Sequence, residues 1–539
     1  MNGVGWWLSG ILACSDASSG RPAETGVEGP RTETEFVAGA ACAAPPVEPA
    51  RWTLRDPGSS WRDQPPGGYG DLGGWGLAVD DFDGDGHLDV FLPHHGGMQL
   101  FLGDGRGVLR AAHDRLPELV GDHVGATSAD VDADGDADLL VAVRGGANLV
   151  LTWTGERFTL ANGAHETWGT EETATTRHLA VADVDDDGVL DAFATRFYSH
   201  DSQTGEDVLG RHELFRGLGD GRFRAIAGWF PEEERFTPAN TSGFVDVNLD
   251  GRAELFVVND KPQRFTSRVF ARDAGGPYAA LPESVGLHAR VQGMGLAEGD
   301  WDADGDFDYA LSGWGDVALL VQEGDTWVDA ARAHGVTKRD DAPVGWGLDF
   351  VDLDVDGHPE LLLANGPEYA GDGMTIGAGT PNPVAQPWTV FRRPGAERAD
   401  EVAEAWGFVG AGNRRGFVAA DLDEDGVPEV IARNLLGRAE VWGRPCTGRG
   451  WLDVRLDMPG RPNHRAIGAN VRVVTRDGAQ VRGIRAGTAT IASGEPPRAW
   501  FGLGDGQDAH TVDVVWPDGV TTSHEGPWRD GLLVVRRMP

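Results

Sequence analysis

The sequence predicts an all-β protein: a seven-bladed β-propeller followed by a small C-terminal β domain. Three observations carry this reading. An acidic pattern, Asp-x-Asp-x-Asp-Gly-x-x-Asp with small variations, recurs seven times between residues 81 and 429. Its starts lie 49, 53, 63, 54, 52 and 69 residues apart, a period that belongs to solenoids and propellers. Short apolar runs bounded by Gly, Asp and Asn fill each period and give about four strands per repeat, the content of one blade. Seven such blades can close without leaving a free sheet edge.

The N-terminus is a short apolar stretch, too short to span a membrane. Its end, Ile11-Leu12-Ala13-Cys14, resembles the lipobox of bacterial lipoprotein signal peptides. That resemblance implies a signal peptide over residues 1–13, lipidation of Cys14, and a secreted or cell-envelope protein outside the cytoplasm. The chain departs from the usual pattern in having no Lys or Arg before the apolar stretch. Residues 14–65 are rich in Ser, Gly, Pro, Ala and Glu and read as a flexible tether. The chain has three cysteines. With Cys14 set aside, Cys42 and Cys446 flank the repeats; they either form a disulfide that ties the two ends together or stand as free thiols.

The repeats occupy residues 66–445. Their acidic loops offer oxygen donors at positions 1, 3, 5 and 9. The first copy supplies Asp81, Asp83, Asp85 and Asp89; the second Asp130, Asp132, Asp134 and Asp138; the third Asp183, Asp185, Asp187 and Asp191. The fourth supplies Asp246, Asn248, Asp250 and Glu254, and the fifth Asp300, Asp302, Asp304 and Asp308. The sixth supplies Asp352, Asp354, Asp356 and Glu360, and the seventh Asp421, Asp423, Asp425 and Glu429. A calcium ion takes six to eight oxygens, and a chain turning tightly around it presents side chains at alternate positions. Gly at position 6 permits the sharp bend. Position 7 would turn its carbonyl to the ion, and the side chains there vary freely, from His87 and Arg252 to Val427.

An EF-hand begins the same way but needs a bidentate Glu at position 12. Here position 12 is apolar in all seven copies, from Leu92 to Ala432. These loops therefore join strands, not helices. Zinc is disfavoured because no His or Cys stands at a ligand position, and magnesium fits an all-protein oxygen cage less well than calcium. The loops hold 27 of the 85 acidic residues, so without metal each crowds like charges together. Up to seven structural Ca²⁺ ions are expected; seven would bring the net charge from −39 to −25, with folding coupled to their binding. The overall acidity excludes nucleic acid, whose phosphates need a basic face.

Residues 446–539 lack such a loop and alternate as strands, as in Trp451-Leu452-Asp453-Val454-Arg455-Leu456. They read as a separate small β domain.

The acidic loops resemble the FG-GAP, or VCBS, repeats of integrin α-subunit propellers and many bacterial surface proteins. Gly293-Met294-Gly295 leading into Gly299-Asp300, and Gly345-Trp346-Gly347 leading into Asp352, are similar to the cartilage acidic protein group. The tail motifs Asn463-His464-Arg465-Ala466-Ile467-Gly468-Ala469, Phe501-Gly502-Leu503-Gly504 and Val515-Trp516-Pro517-Asp518-Gly519 resemble the ASPIC/UnbV domain that follows such propellers. Where that domain usually carries a Ser-Gln step, this chain has Ala492-Ser493-Gly494. The resemblance implies an extracellular calcium-binding protein and supplies no substrate.

Other groupings read as structural. His94-His95 is expected to be a solvated or hydrogen-bonded pair. Trp75, Trp301, Trp314 and Trp346 are expected to pack between blades instead of forming sugar platforms. No nucleophile elbow, P-loop or His-Glu-x-x-His occurs. The function expected is a binding or adhesion module for a protein or glycan partner at the cell surface. The alternative is a calcium-dependent polysaccharide lyase or hydrolase on the same scaffold, which rests on fold analogy.

Overall fold

The computed structural model describes residues 30–39, 42, 51–58, 74–161, 175–200, 207–337, 344–367, 386–393, 398–435, 437–487 and 490–539. Residues 1–29 lie outside this set, and with them the signal segment and Cys14.

The protein is all-β. Among the described residues the helical elements are single turns, such as Ala331–His334 and Ala403–Trp406. Seven antiparallel sheets follow one another along the chain, and each carries one acidic loop between its first and second strands. In the second sheet, Asp122–Ala129 leads through the loop into Asp138–Arg144, then Leu149–Trp153 and Phe158–Leu160. The second strands read as continuous apolar runs, not as alternating ones. Asp138–Arg144 shows why: all but its last residue are buried, because both faces of the sheet are covered. The third sheet carries an extra ribbon, Tyr198–His200 with Asp207–Leu209, and the fourth a fifth strand, His288–Ala289.

The seventh sheet takes its outermost strand from the opposite end of the chain. Thr53–Leu54 pairs with Glu440–Gly443, Thr53 opposite Gly443 and Leu54 opposite Trp442. First strands of consecutive sheets touch, as Asp122–Ala129 touches Thr176–Ala182 and Gly293–Gly299 touches Gly345–Val351. The first strand of the first sheet, Ala78–Asp80, also touches that of the seventh, Arg414–Ala420, and Gly416 N donates to Trp75 O at 2.8 Å. Cys42 and Cys446 form a disulfide, so the pairing alternative holds and the thiol alternative fails.

The tail forms two four-stranded sheets around Leu452, Val471, Phe501, Val512, Trp516 and Leu533. One reading of the sequence needs correction here. Part of the expected tether is structure: Thr32–Ala38 pairs antiparallel with Gly531–Arg537 over its whole length. Its Thr-Glu-Thr-Glu-Phe-Val alternation suits an edge strand, with Glu side chains facing water.

The tail has its own core but also reaches into the repeats. Residues 485–487 and 490–494 leave it and enter between the first strands of the repeats. Val181 N donates to Ala486 O at 3.0 Å, Thr490 N to Leu296 O at 3.0 Å, and Ala126 N to Ala492 O at 3.2 Å. Val79 N and Leu77 O bracket Gly494 at 3.0 and 2.9 Å. Ile491 and Ala492 thereby join a core with Trp75, Val124, Leu179 and Trp346. Small residues permit this approach: a Cβ on Gly76 or Gly125 would overlap the Ala492 carbonyl. The departure at Ala492-Ser493-Gly494 therefore falls at the centre of the molecule.

Candidate metal centres

All seven loops share one internal frame. The position-1 carboxylate accepts from the Gly N–H at position 6, as Gly135 N to Asp130 Oδ2, at 2.8–3.1 Å throughout. The position-5 carboxylate accepts from the N–H at position 7 at 2.9–3.2 Å. The position-9 carboxylate accepts from the N–H at position 2 at 2.8–3.0 Å. Each position-6 glycine has φ between 82° and 99°, a left-handed conformation that glycine adopts freely.

Two features were missed by the sequence reading. Position 4 is also left-handed in every loop, although it holds Ala133, Asp186, Leu249, Ala303, Val355 and Glu424 as well as Gly84. Each non-glycine residue there costs roughly 1–2 kcal/mol, so the acidic ring is held by its frame against local preference. Variation at position 4 concealed this. The second feature is a double role for position 9. Where it is Asp, its other oxygen accepts from the third strand: Gly103 N to Asp89, Trp153 N to Asp138, Gly217 N to Asp191 and Gln322 N to Asp308, at 2.8–3.0 Å. This residue fastens the loop to its sheet as well as facing the cluster.

The donors converge. Carboxylate oxygens of Asp81, Asp83 and Asp85 lie within 4.8 Å of one another, as do those of Asp130, Asp132 and Asp138. The same holds for Asp183, Asp185 and Asp191, for Asp300, Asp302 and Asp304, and for Asp352, Asp354 and Asp356. In six loops the position-3 Oδ1 is buried with no hydrogen-bond partner: Asp83, Asp132, Asp185, Asp302, Asp354 and Asp423. Buried polar atoms are normally paired, so these atoms suit a cation. The fourth loop differs. Asn248 turns its amide to Asp250 Oδ2 at 3.3 Å, and Asp246 Oδ2 already accepts from Asn470 Nδ2 at 2.8 Å.

Electrostatics separates the loops further. Burial, reinforced by neighbouring carboxylates, pushes Asp89, Asp138 and Asp191 up to about 8 and Asp308 up to about 9. Burial likewise raises Asp130 and Asp183 to about 6 and Asp300 to about 7. Arginines reach into several loops. Arg115 Nη1 lies 3.0 Å from Asp83, Arg216 pairs with Asp185, and Arg392 lies 2.6 Å from Asp356. Arg55, on the N-terminal segment, pairs with Asp423 and lies 2.7 Å from Glu429. The all-oxygen donor set and the orphaned inward oxygens fit a hard divalent cation, which would supply the positive charge that these buried acids lack.

The remaining groupings behave structurally. His94 Nδ1 contacts His95 O at 2.9 Å. Trp75, Trp301 and Trp346 are buried, and Trp314 packs against the same core as Trp75.

Comparison with known proteins follows this geometry. Residues 81–141 and 130–194 match the FG-GAP-like repeat family, and residues 459–537 match the ASPIC and UnbV family. The chain carries FG-GAP-like repeats and a C-terminal ASPIC and UnbV domain. It is 23% identical to Cartilage acidic protein 1 of Mus musculus across 83% of this chain and 71% of that one. To Cartilage acidic protein 1 of Homo sapiens it is 24% identical across 83% of this chain and 69% of that one. Neither matched family is an enzyme family. Among solved structures, a lectin of Agrocybe aegerita that recognises non-reducing terminal N-acetylglucosamine is 17% identical, with a TM-score of 0.39 over 68% of this chain and 86% of that one. A likeness that loose does not bear on fold or ligand. No described helix is long and apolar enough to cross a membrane.

Proposed function

We propose that this chain is an extracytoplasmic, calcium-binding, seven-bladed β-propeller, and that it serves as a binding or adhesion module for a protein or glycan partner. The closed ring is supported by the contact of the first and seventh sheets and by the N-terminal strand that completes the seventh. Calcium is supported by one observation above all: the buried, unpartnered position-3 oxygens of six acidic loops. The ions are structural, and the loop carboxylates bind them while the backbone frame sets their spacing. The disulfide agrees with an oxidising compartment.

Elemental analysis of the purified chain tests the metal, with six or seven calcium ions per chain expected and none overturning the reading. A glycan array and a pull-down from cell-surface extracts, each with calcium and with chelator, test the binding role. No calcium-dependent partner in either would refute it.

A further inference from the structure

A cavity of about 350 Å³ lies between the tail sheets and the repeats, at the end of the Thr32–Ala38 strand. That volume is within the range of small-molecule sites. One side is aromatic, formed by Phe350, Trp451 and Trp500. The other is charged. Glu298 Oε1 lies 3.0 Å from Arg485 Nε, and both side chains are at most 5% exposed. Asp453 accepts from Arg498 Nη1 at 3.1 Å and is 8% exposed. These two pairs leave Glu298 Oε2 and Asp453 Oδ1 buried without a hydrogen-bond partner. Arg482 donates to Phe350 O at 2.7 Å and faces two further acids, Asp349 and Glu495.

Glu298, Asp349, Asp453 and Glu495 thus meet three guanidinium groups in one partly open space that the loop acids Asp352, Asp421 and Glu424 also line, and two carboxylate oxygens, on Glu298 and Asp453, lack donors. Buried acceptors in that state carry a desolvation penalty that a bound donor would relieve, and more so when charged. A divalent metal is disfavoured here, since three guanidinium groups share the wall and aromatic rings line the rest. An anion is disfavoured by the excess negative charge. We infer that the cavity binds a small organic cation, an amine or guanidinium compound. Its N–H groups complete the bonding of Glu298 and Asp453, and its body packs against Trp451 and Trp500, whose ring faces attract cations. This goes beyond the binding role proposed above; Asp352 and Asp421 of the sixth and seventh loops border the same cavity, so bound calcium is followed alongside the amine.

The test uses the full chain saturated with calcium, with bound calcium measured in the same samples. Agmatine and glucosamine are titrated calorimetrically beside their neutral counterparts n-butanol and glucose. At least one amine is expected to bind with one-to-one stoichiometry, and neither neutral compound. D453N, which replaces one of the two carboxylates that lack a donor at nearly constant volume, should weaken the amine about tenfold while leaving calcium content unchanged. Should D453N not fold, E298Q gives the same test on the other unpartnered carboxylate. Equal behaviour of amines and neutral compounds, or unchanged affinity in a folded variant, overturns the inference. Displacement of the amine by excess calcium also overturns it, because the cavity would then be a metal site.

Discussion

Arg465 of the tail grips Asp80 of the first sheet with both guanidinium nitrogens, each 2.6 Å from one carboxylate oxygen. Asp80 is fully buried and also accepts from Ser128 Oγ at 2.7 Å. The fork joins tail and repeats at the foot of the first acidic loop. Removing one partner of such a pair leaves a buried charge alone. R465A should therefore lose about 3–5 kcal/mol of unfolding free energy. The double variant D80N/R465M should lose less than that single one, as denaturant unfolding would reveal.

The second loop has the least interference from arginine: no ion pair of its acids with an arginine is found among the described residues. D132N removes the charge behind one of its orphaned oxygens. One fewer calcium per chain is expected by elemental analysis, with a lower melting temperature in calcium. The same change at Asp423, where Arg55 already supplies positive charge, should move the melting temperature less.

Proton release should accompany metal binding. In the metal-free protein burial holds Asp89, Asp138 and Asp191 up at about 8 and Asp308 at about 9. A cation needs them ionised, so at pH 7 each site filled expels protons and affinity rises with pH up to these values. The metal-free stability runs the other way. A raised folded-state pKa means that the folded form holds more protons than the unfolded form, so stability is full below about 4 and falls as pH rises through about 8. Calorimetry in buffers of different ionisation enthalpy measures the first effect, and melts in chelator across pH 5–9 the second.

Gly125 sits where the inserted tail segment passes, and a Cβ there would meet the Ala492 carbonyl and side chain. G125A should destabilise by roughly 1–3 kcal/mol. It should also split a single calorimetric transition into two, since it weakens the contact that makes repeats and tail unfold together.

The Cys42–Cys446 bridge spans 404 residues of sequence. Closing so long a loop in the unfolded chain is worth roughly 6 kcal/mol in the chain-entropy relation. C42S or reduction should lower stability by that order, which thermal melts with and without reductant would show.

The acidic loops were legible because their geometry is local. Ligand spacing, the position-6 glycine and the apolar position 12 all lie within twelve residues of one another, and the chain has little choice in how it folds them. What escaped depends on distant partners. Thr32–Ala38 reads as low-complexity chain until residues 531–537 are placed beside it. Ala486 and Gly494 look like loop residues, and their burial is decided by Val181, Leu77 and Val79 far upstream. Which loop receives an arginine is likewise written outside the loop: Arg216 and Arg392 belong to strands that follow. The left-handed position 4 escaped for another reason, since the backbone there is imposed by the frame and leaves no residue preference to read.

The inserted segment has a consequence for biogenesis. A ribosome makes the seven sheets first and the residues that fill their centre last. Until Gly494 has emerged, Leu77, Ala126 and Val181 have no one to bond with in the middle, and Thr53 waits almost as long for Gly443. The nascent protein therefore passes most of its synthesis with these first strands lacking the tail contacts that the finished molecule gives them.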